Sequence, residues 1–176
     1  VGIAVFGPSK AAAALEGSKA FAKDVMAAAD VPTGMARKCT SIEEVEDALV
    51  AFGAPYVVKA DGLAAGKGVI VTSDKQAALD HANTFLVQGM EILVEEFLDG
   101  EEVSLFFLAD GKSVLPLSPA QDFKRAYNFD KGPNTGGMGA YSPLPWLPVG
   151  FVQEVQERVA LPTVRELARL GTPFVG

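Results

Sequence analysis

One cysteine, one histidine and one tryptophan stand among the 176 residues. A single thiol, Cys39, cannot close an internal disulfide or build a multi-thiolate metal site. A single imidazole, His81, weighs against a Ser/His triad and against a His-rich zinc site. Positive charge is also short: 15 Lys and Arg face 22 Asp and Glu, a net charge of −7. An acidic chain has no general attraction for nucleic acid, so any polyanion it holds must meet a local cluster of cations. No apolar run approaches the roughly 20 residues of a membrane-spanning helix, and no basic-then-apolar leader precedes Val1. What remains is a globular mixture, 49% hydrophobic and 21% charged, enough for one substantial core or two small lobes. The expectation is a cytoplasmic protein without nucleic-acid or membrane partners. Its chemistry must rest on lysine, arginine, carboxylates and backbone.

Both ends suggest a piece of a longer protein. Val1 to Phe6 has the pattern of a bare strand before the turn Gly7-Pro8-Ser9, and such a strand alone would leave an unpaired edge. Gly171 to Gly176 has the pattern of an approach to another strand.

Helical spacing begins at Ala11 or Ser18 and runs to Ala29, with Leu15, Ala22, Met26 and Ala29 in one stripe. Lys19 falls in that stripe. Either its stem covers apolar surface while the ammonium reaches water, or it points into a cleft and awaits an anion. Asp30-Val31-Pro32 ends the helix. Ser41-Ile42-Glu43-Glu44 has capping-box spacing, and Ile42, Val45, Leu49 and Phe52 form the apolar side of a second helix that stops at Gly53. Tyr56 to Ala60 and Gly68 to Thr72 are strands around a glycine-rich turn. Ser73-Asp74-Lys75-Gln76 caps a third helix to about Leu86, and Glu91 to Glu96 is a strand. Asp110-Gly111 joins Val103–Ala109 to Ser113–Leu117 as a hairpin. A polar, glycine-rich stretch from Pro119 to Pro148 follows, then a helix from Phe151 to Leu170, bent or restarted at Pro162. Hairpins among helices, without regular βαβ alternation, give an α+β class.

The turn Gly62-Leu63-Ala64-Ala65-Gly66-Lys67-Gly68 is not a P-loop. It has three residues where four are required, glycine in the Ser/Thr place, and a strand where a helix should follow. It is instead a hairpin tip whose small residues allow close approach of N–H groups to phosphates. The alternative is an ordinary loose hairpin. Lys59 alternates with Val58 and Ala60, so it lies on the opposite face of its strand from both and needs an anion or water. The strand Glu95-Glu96-Phe97-Leu98 ends before Asp99-Gly100-Glu101-Glu102. A strand end can read the edge of adenine and a nearby carboxylate can take two ribose hydroxyls, although four glutamates near a turn are also a common solvated surface.

Four blocks occur in order: Leu15 to Lys19, Val58 to Val69, Glu95 to Glu102, and Gly132-Pro133-Asn134-Thr135-Gly136-Gly137-Met138-Gly139-Ala140-Tyr141. Together they closely resemble the phosphoribosylamine–glycine ligase (glycinamide ribonucleotide synthetase) family of the ATP-grasp superfamily, over essentially the whole chain. The resemblance implies a partial ATP-grasp fold in which two lobes grip ATP between them. It implies residues 1–31 as the end of an N-terminal domain with a linking helix, 32–95 as the small lobe carrying the flap, and 96–176 as the first part of the large lobe. Lys19 and Lys59 then match the phosphate lysines, with Gly62, Gly66, Lys67 and Gly68 in the flap. Glu95, Glu96, Phe97 and Leu98 match the adenine hinge and Glu102 the ribose carboxylate. Asp122, Asn134, Thr135, Gly136 and Gly137 fall on the acceptor side, with Lys124 or Arg125 at the acyl phosphate. Phe123 stands where the pattern often has His, so no proton-transfer role carries over to it.

The implied reaction joins glycine to 5-phosphoribosylamine at the expense of ATP, through a glycyl phosphate, as a step of purine biosynthesis. Mg²⁺ or Mn²⁺ would bridge the phosphates on ligands expected beyond residue 176. The chain alone is expected to be an inactive fragment. Two other readings stay open: a different ATP-grasp carboxylate–amine ligase, and a non-catalytic nucleotide-binding module.

Overall fold

The computed structural model describes residues 2–3, 5–62, 68–129 and 131–176. The chain forms two compact units. One comprises Leu15–Asp24 and Thr33–Gly100; the other comprises Val1–Ala14, Val25–Pro32 and Glu101–Gly176. No helix among the described residues is long and apolar enough to cross a membrane.

The first unit is built on a four-stranded antiparallel sheet of β1 (Ala36–Cys39), β2 (Tyr56–Ala60), β3 (Val69–Thr72) and β4 (Ile92–Glu95), in the order β1-β4-β2-β3. Strand alternation divides its residues between two faces. Val58, Ala60, Ile92 and Val94 are fully buried and join Val45, Ala48 and Leu49 of α3 (Ile42–Phe52) and Ala78 and Ala82 of α4 (Lys75–Leu86) in one core. Lys59 pairs with Leu93, and Val57 with Glu95, so Lys59 and Glu95 are diagonal neighbours on the other face. Both helices begin as their sequences require. Ser41 Oγ accepts from Glu44 N–H at 3.3 Å while Glu44 Oε2 takes the Thr40 N–H at 2.7 Å, and Asp74 Oδ1 accepts from the amides of Gln76 and Ala77. Gly53, at φ +76°, ends α3 with its N–H on the Leu49 carbonyl. β1 has no counterpart in the sequence reading. It is an edge strand whose Arg37 and Lys38 are exposed and of which only Cys39 reaches the core, so period-two hydrophobicity never develops.

The expected first helix is two pieces, α1 (Ala14–Gly17) and α2 (Lys19–Ala28), interrupted at Ser18. Its buried positions are Ala20 and Val25, not the stripe of Leu15, Ala22, Met26 and Ala29, all of which are only half-buried. The helix is shared: Lys19–Asp24 belongs to the first unit and Val25–Ala28 to the second. Two sets of neighbours therefore shift its buried faces.

In the second unit, β5 (Phe107–Ala109) and β6 (Val114–Pro116) form the expected hairpin. Asp110 Oδ1 accepts from the amides of Lys112 and Ser113 across its turn, where Gly111 sits at φ +88°. The inner face of this hairpin, Phe107, Ala109 and Val114, packs with Val164 and Leu161. The polar stretch is more ordered than its composition indicates. β7 (Gln121–Asp122) pairs with β10 (Ala140–Tyr141), and β8 (Arg125–Tyr127) with β9 (Lys131–Asn134). The last helix restarts beside Pro162, as expected. α5 (Phe151–Val155) passes through a π-helical turn, Gln156–Ala160, into α6 (Leu161–Arg169), with right-handed backbone at both joints. Proline sits in the first turn of α6, where its missing N–H costs least. The described residues among 1–6 lie outside any strand, and Ile3, Val5 and Phe6 are exposed.

Candidate functional site

In the first unit, two lysines from distant segments are held along β2 and the turn that follows it. Ser18 opens α2 by accepting from Phe21 N–H at 3.0 Å and donating its own hydroxyl to Asp61 Oδ2 at 2.9 Å, while Asp61 Oδ1 takes Ala20 N–H at 3.1 Å. Burial by itself would raise the Asp61 carboxyl. Hydrogen bonds from Ala20, Ser18, and the amides of Lys19 and Gly62 outweigh it and hold the group below its ordinary range. The helix start is thereby bound to the turn that follows β2, and Lys19 Nζ donates to the carbonyls of Ala60 and Gly62 at 3.1 and 3.0 Å. Lys59 Nζ donates to Glu95 Oε2 at 2.8 Å. The anion its strand position demanded is supplied by the protein itself. Gly68 is buried and its carbonyl accepts from Ala60 N–H at 2.7 Å, closing the base of the hairpin. Gly62 adopts φ +96°, a conformation in which glycine is at little disadvantage. Gly66 and Lys67 lie outside the described residues.

The strand end expected to read adenine has its side chains and its backbone in different employment. The Glu95 carboxylate is taken by Lys59, and Glu96 Oε1 accepts from Met35 N–H at 2.8 Å, while Glu96 N–H itself donates to the Met35 carbonyl. The main-chain groups of Phe97 and Leu98 make no hydrogen bond to other described residues, and both residues are exposed. Free donors and acceptors in extended backbone suit the edge of a planar heterocycle.

In the second unit, Lys124 Nζ lies 2.7 Å from Glu102 Oε1 and 3.7 Å from Asp122 Oδ1. The hydrogen bond with Glu102 holds the Lys124 ammonium above its ordinary pKa; partial burial opposes this and the charges of Glu102 and Asp122 add to it. Asp122 Oδ1 is buried without a hydrogen bond among the described residues, and a Cβ on Gly137 would sit 3.9 Å from Asp122 Oδ2. Thr135 N–H and Oγ1 both donate to the Lys124 carbonyl, at 2.6 and 2.9 Å, and Gly137 N–H donates to Thr135 Oγ1 at 3.1 Å. These bonds gather Lys124, Thr135, Gly136 and Gly137 into one loop cluster. Arg125 is used differently: its guanidinium donates to the Gly132 carbonyl at 2.9 Å, inside the β8–β9 pair. Asn134 contributes its backbone to β9 opposite Arg125; its side chain lies outside the description.

Further residues outside the expected set belong to these arrangements. Lys23, one turn from Lys19 on the same side of α2, lies 3.7 Å from Glu95 Oε1; the i, i+4 spacing was its only signal. Asp61 had none, because its partners are 41 and 43 residues away. Buried Gln121 and exposed Tyr141 form a chain in which Trp146 Nε1 donates to Tyr141 Oη at 2.7 Å, Tyr141 to Gln121 Oε1 at 2.9 Å, and Gln121 Nε2 to Glu101 at 2.8 Å. Phe123 stacks on Tyr141 with ring centroids 6.0 Å apart, a packing role that needs no titrating ring.

Among the described residues no group of three or more His, Cys, Asp or Glu stands close enough to hold a metal ion.

A family profile described as "Phosphoribosylglycinamide synthetase, ATP-grasp (A) domain" matches residues 17–176. A phosphoribosylamine–glycine ligase of Leifsonia xyli subsp. xyli is 66% identical over 175 residues, covering 99% of this chain and 42% of the relative. One from Streptomyces coelicolor is 65% identical with 99% and 41% covered. The crystal structure of a phosphoribosylamine–glycine ligase from Thermotoga maritima superposes with a TM-score of 0.88 at 34% identity, over 98% of this chain and 45% of that one. The chain thus spans about two fifths of the length of the curated relatives it matches. Because the profile takes in both compact units from Gly17 onward and the relatives align across nearly the whole chain, the chain belongs to the phosphoribosylglycinamide synthetase family and has the ATP-grasp (A) domain fold, in part.

Proposed function

We propose that this chain is the ATP-binding part of an enzyme that joins glycine to 5-phosphoribosylamine, giving glycinamide ribonucleotide, ADP and phosphate. A carboxylate is a poor electrophile because its leaving group would be oxide. Transfer of the γ-phosphoryl group to the glycine carboxylate makes a glycyl phosphate, the amine of phosphoribosylamine attacks its carbonyl carbon, and phosphate leaves. The protein's part is positioning and charge neutralisation.

On this reading Lys19, Lys59 and the flap residues Gly62, Gly66, Lys67 and Gly68 face the triphosphate. The backbone of Glu95 to Leu98 takes the adenine edge, and Glu102 the ribose hydroxyls. Asp122 and the Asn134 to Gly137 loop hold the acceptor, with Lys124 at the acyl phosphate. Arg125 is at one remove, since its guanidinium already serves the Gly132 carbonyl. Residues 32–95 correspond to the small lobe and 96–176 to the start of the large one. A divalent ion would neutralise phosphate oxygens in this chemistry.

The observation that carries the proposal is that β2 and the glycine turn after it engage two lysines 40 positions apart, Lys19 on the carbonyls of Ala60 and Gly62 and Lys59 on Glu95. The test is calorimetric titration of Mg²⁺ and a non-hydrolysable ATP analogue into the chain and into its Lys59→Ala variant. Binding by the first, weakened about tenfold or more in the second, is expected. Equal affinities, or no binding to either, would refute it. Glycine- and phosphoribosylamine-dependent ADP release by the longer protein carrying this segment tests the acceptor half.

A further inference from the structure

Glu95 is enclosed, with a side chain only 11% exposed, and two ammonium groups address it from opposite elements. Lys59, on β2, makes the close contact at 2.8 Å to Oε2. Lys23, on α2, stands 3.7 Å from Oε1 and is itself 16% exposed. The Lys23 ammonium is not free to wander. It donates to Thr33 Oγ1 at 2.8 Å and to the Gly34 carbonyl at 2.7 Å, which leaves its third N–H for the carboxylate. The turn it holds lies against the strand end below: a Cβ on Gly34 would come within 3.4 Å of Leu98 Cδ1 and 3.5 Å of Glu96 Cγ.

An enclosed carboxylate that loses its only counter-ion is strongly disfavoured. If Lys59 alone neutralised Glu95, any phosphate drawing that ammonium away would strand the carboxylate, and nucleotide affinity would suffer. We infer that Lys23 is a positioning residue for nucleotide binding: it takes over the neutralisation of Glu95 when Lys59 turns to phosphate. The inference rests on the reading of Lys59 as a phosphate ligand given above. It assigns Lys23 no contact with the nucleotide. Lys23 acts through Glu95, and its bonds to Thr33 and Gly34 keep it within reach in both states.

A double-mutant cycle on the 176-residue chain tests this, with the dissociation constant of the Mg²⁺-loaded, non-hydrolysable ATP analogue as readout. Lys23→Met is expected to weaken binding about tenfold when Glu95 is present, and by no more than about threefold in the Glu95→Gln background, where no charge needs neutralising. A purely structural role through Thr33 and Gly34 would give equal losses in both backgrounds, and that result overturns the inference. So does an unchanged affinity of Lys23→Met while the unaltered chain binds, which leaves the nucleotide reading intact. Absence of binding by the unaltered chain overturns both. Should Lys23→Met lose its far-ultraviolet circular dichroism, Lys23→Gln carries the same cycle.

Discussion

Replacing Asp61 by Asn separates the charge of this side chain from its shape. Its carboxylate accepts from Ala20 N–H at 3.1 Å and from the Ser18 hydroxyl at 2.9 Å, at the start of α2. Asparagine retains one acceptor for Ala20 but turns an N–H₂ toward a hydroxyl that already accepts from Phe21 at 3.0 Å. One charge-assisted bond is therefore lost, together with the attraction of a negative charge for the helix N-terminus. A bond to a charged group contributes roughly 1.5–3 kcal/mol and the helix-end charge about 0.3–1 kcal/mol. Partial solvation and the weaker bonds that remain discount the sum to about 1–2 kcal/mol. The folded-state carboxyl is held below its ordinary value, so its contribution is complete above the unfolded value of about 4 and fades as pH falls through the lower folded one. Urea denaturation followed by circular dichroism should show Asp61→Asn less stable by about that amount at pH 7, with the gap constant at neutral pH and closing in acid. Equal stability at pH 7, or a gap that widens on acidification, would refute the capping argument.

Burial, with Glu44 adding and Arg37 opposing, pushes the Cys39 thiol up to about 11; a disulfide reagent at pH 8 should leave the native chain unmodified and react once it is unfolded in urea. Gly132 sits at φ +85° and a Cβ there would lie 2.5 Å from Tyr127 Cδ2, so Gly132→Ala should lower stability by about 1–2 kcal/mol. Gly136→Ala, with no atom within 4 Å of its Cβ, should stay within about 0.5 kcal/mol in the same denaturation assay. Tyr141→Phe deletes the hydroxyl that joins Trp146 to buried Gln121; a loss of about 1–2 kcal/mol and a red-shifted emission of the single tryptophan are expected.

Features that depend on neighbours in the chain were legible without coordinates. The Ser41 cap, the helix start within Ser73 to Gln76, the Gly53 stop and the Asp110-Gly111 turn each arise from contacts within a few residues. The motif blocks, matched as a whole, named the family. β1 escaped because an edge strand with two exposed basic residues carries no hydrophobic alternation. The short β7–β10 pair escaped because each half is only two residues long, too short to show alternation, and a glycine-rich stretch separates them.

What the sequence by itself determined is most of the parts: the helices and strands with a clear period, the turns between them, and Lys59 on the face of its strand opposite Val58 and Ala60, since these follow from side-chain period and backbone freedom. Only the tertiary structure decided what the lysines hold. Lys59 meets a carboxylate 36 residues away and Lys19 two carbonyls more than 40 residues away, and Lys23 enters the same cluster through Glu95. Strand register and helix placement bring these charges together, and no local pattern encodes a pairing that forms only after the chain has folded back on itself.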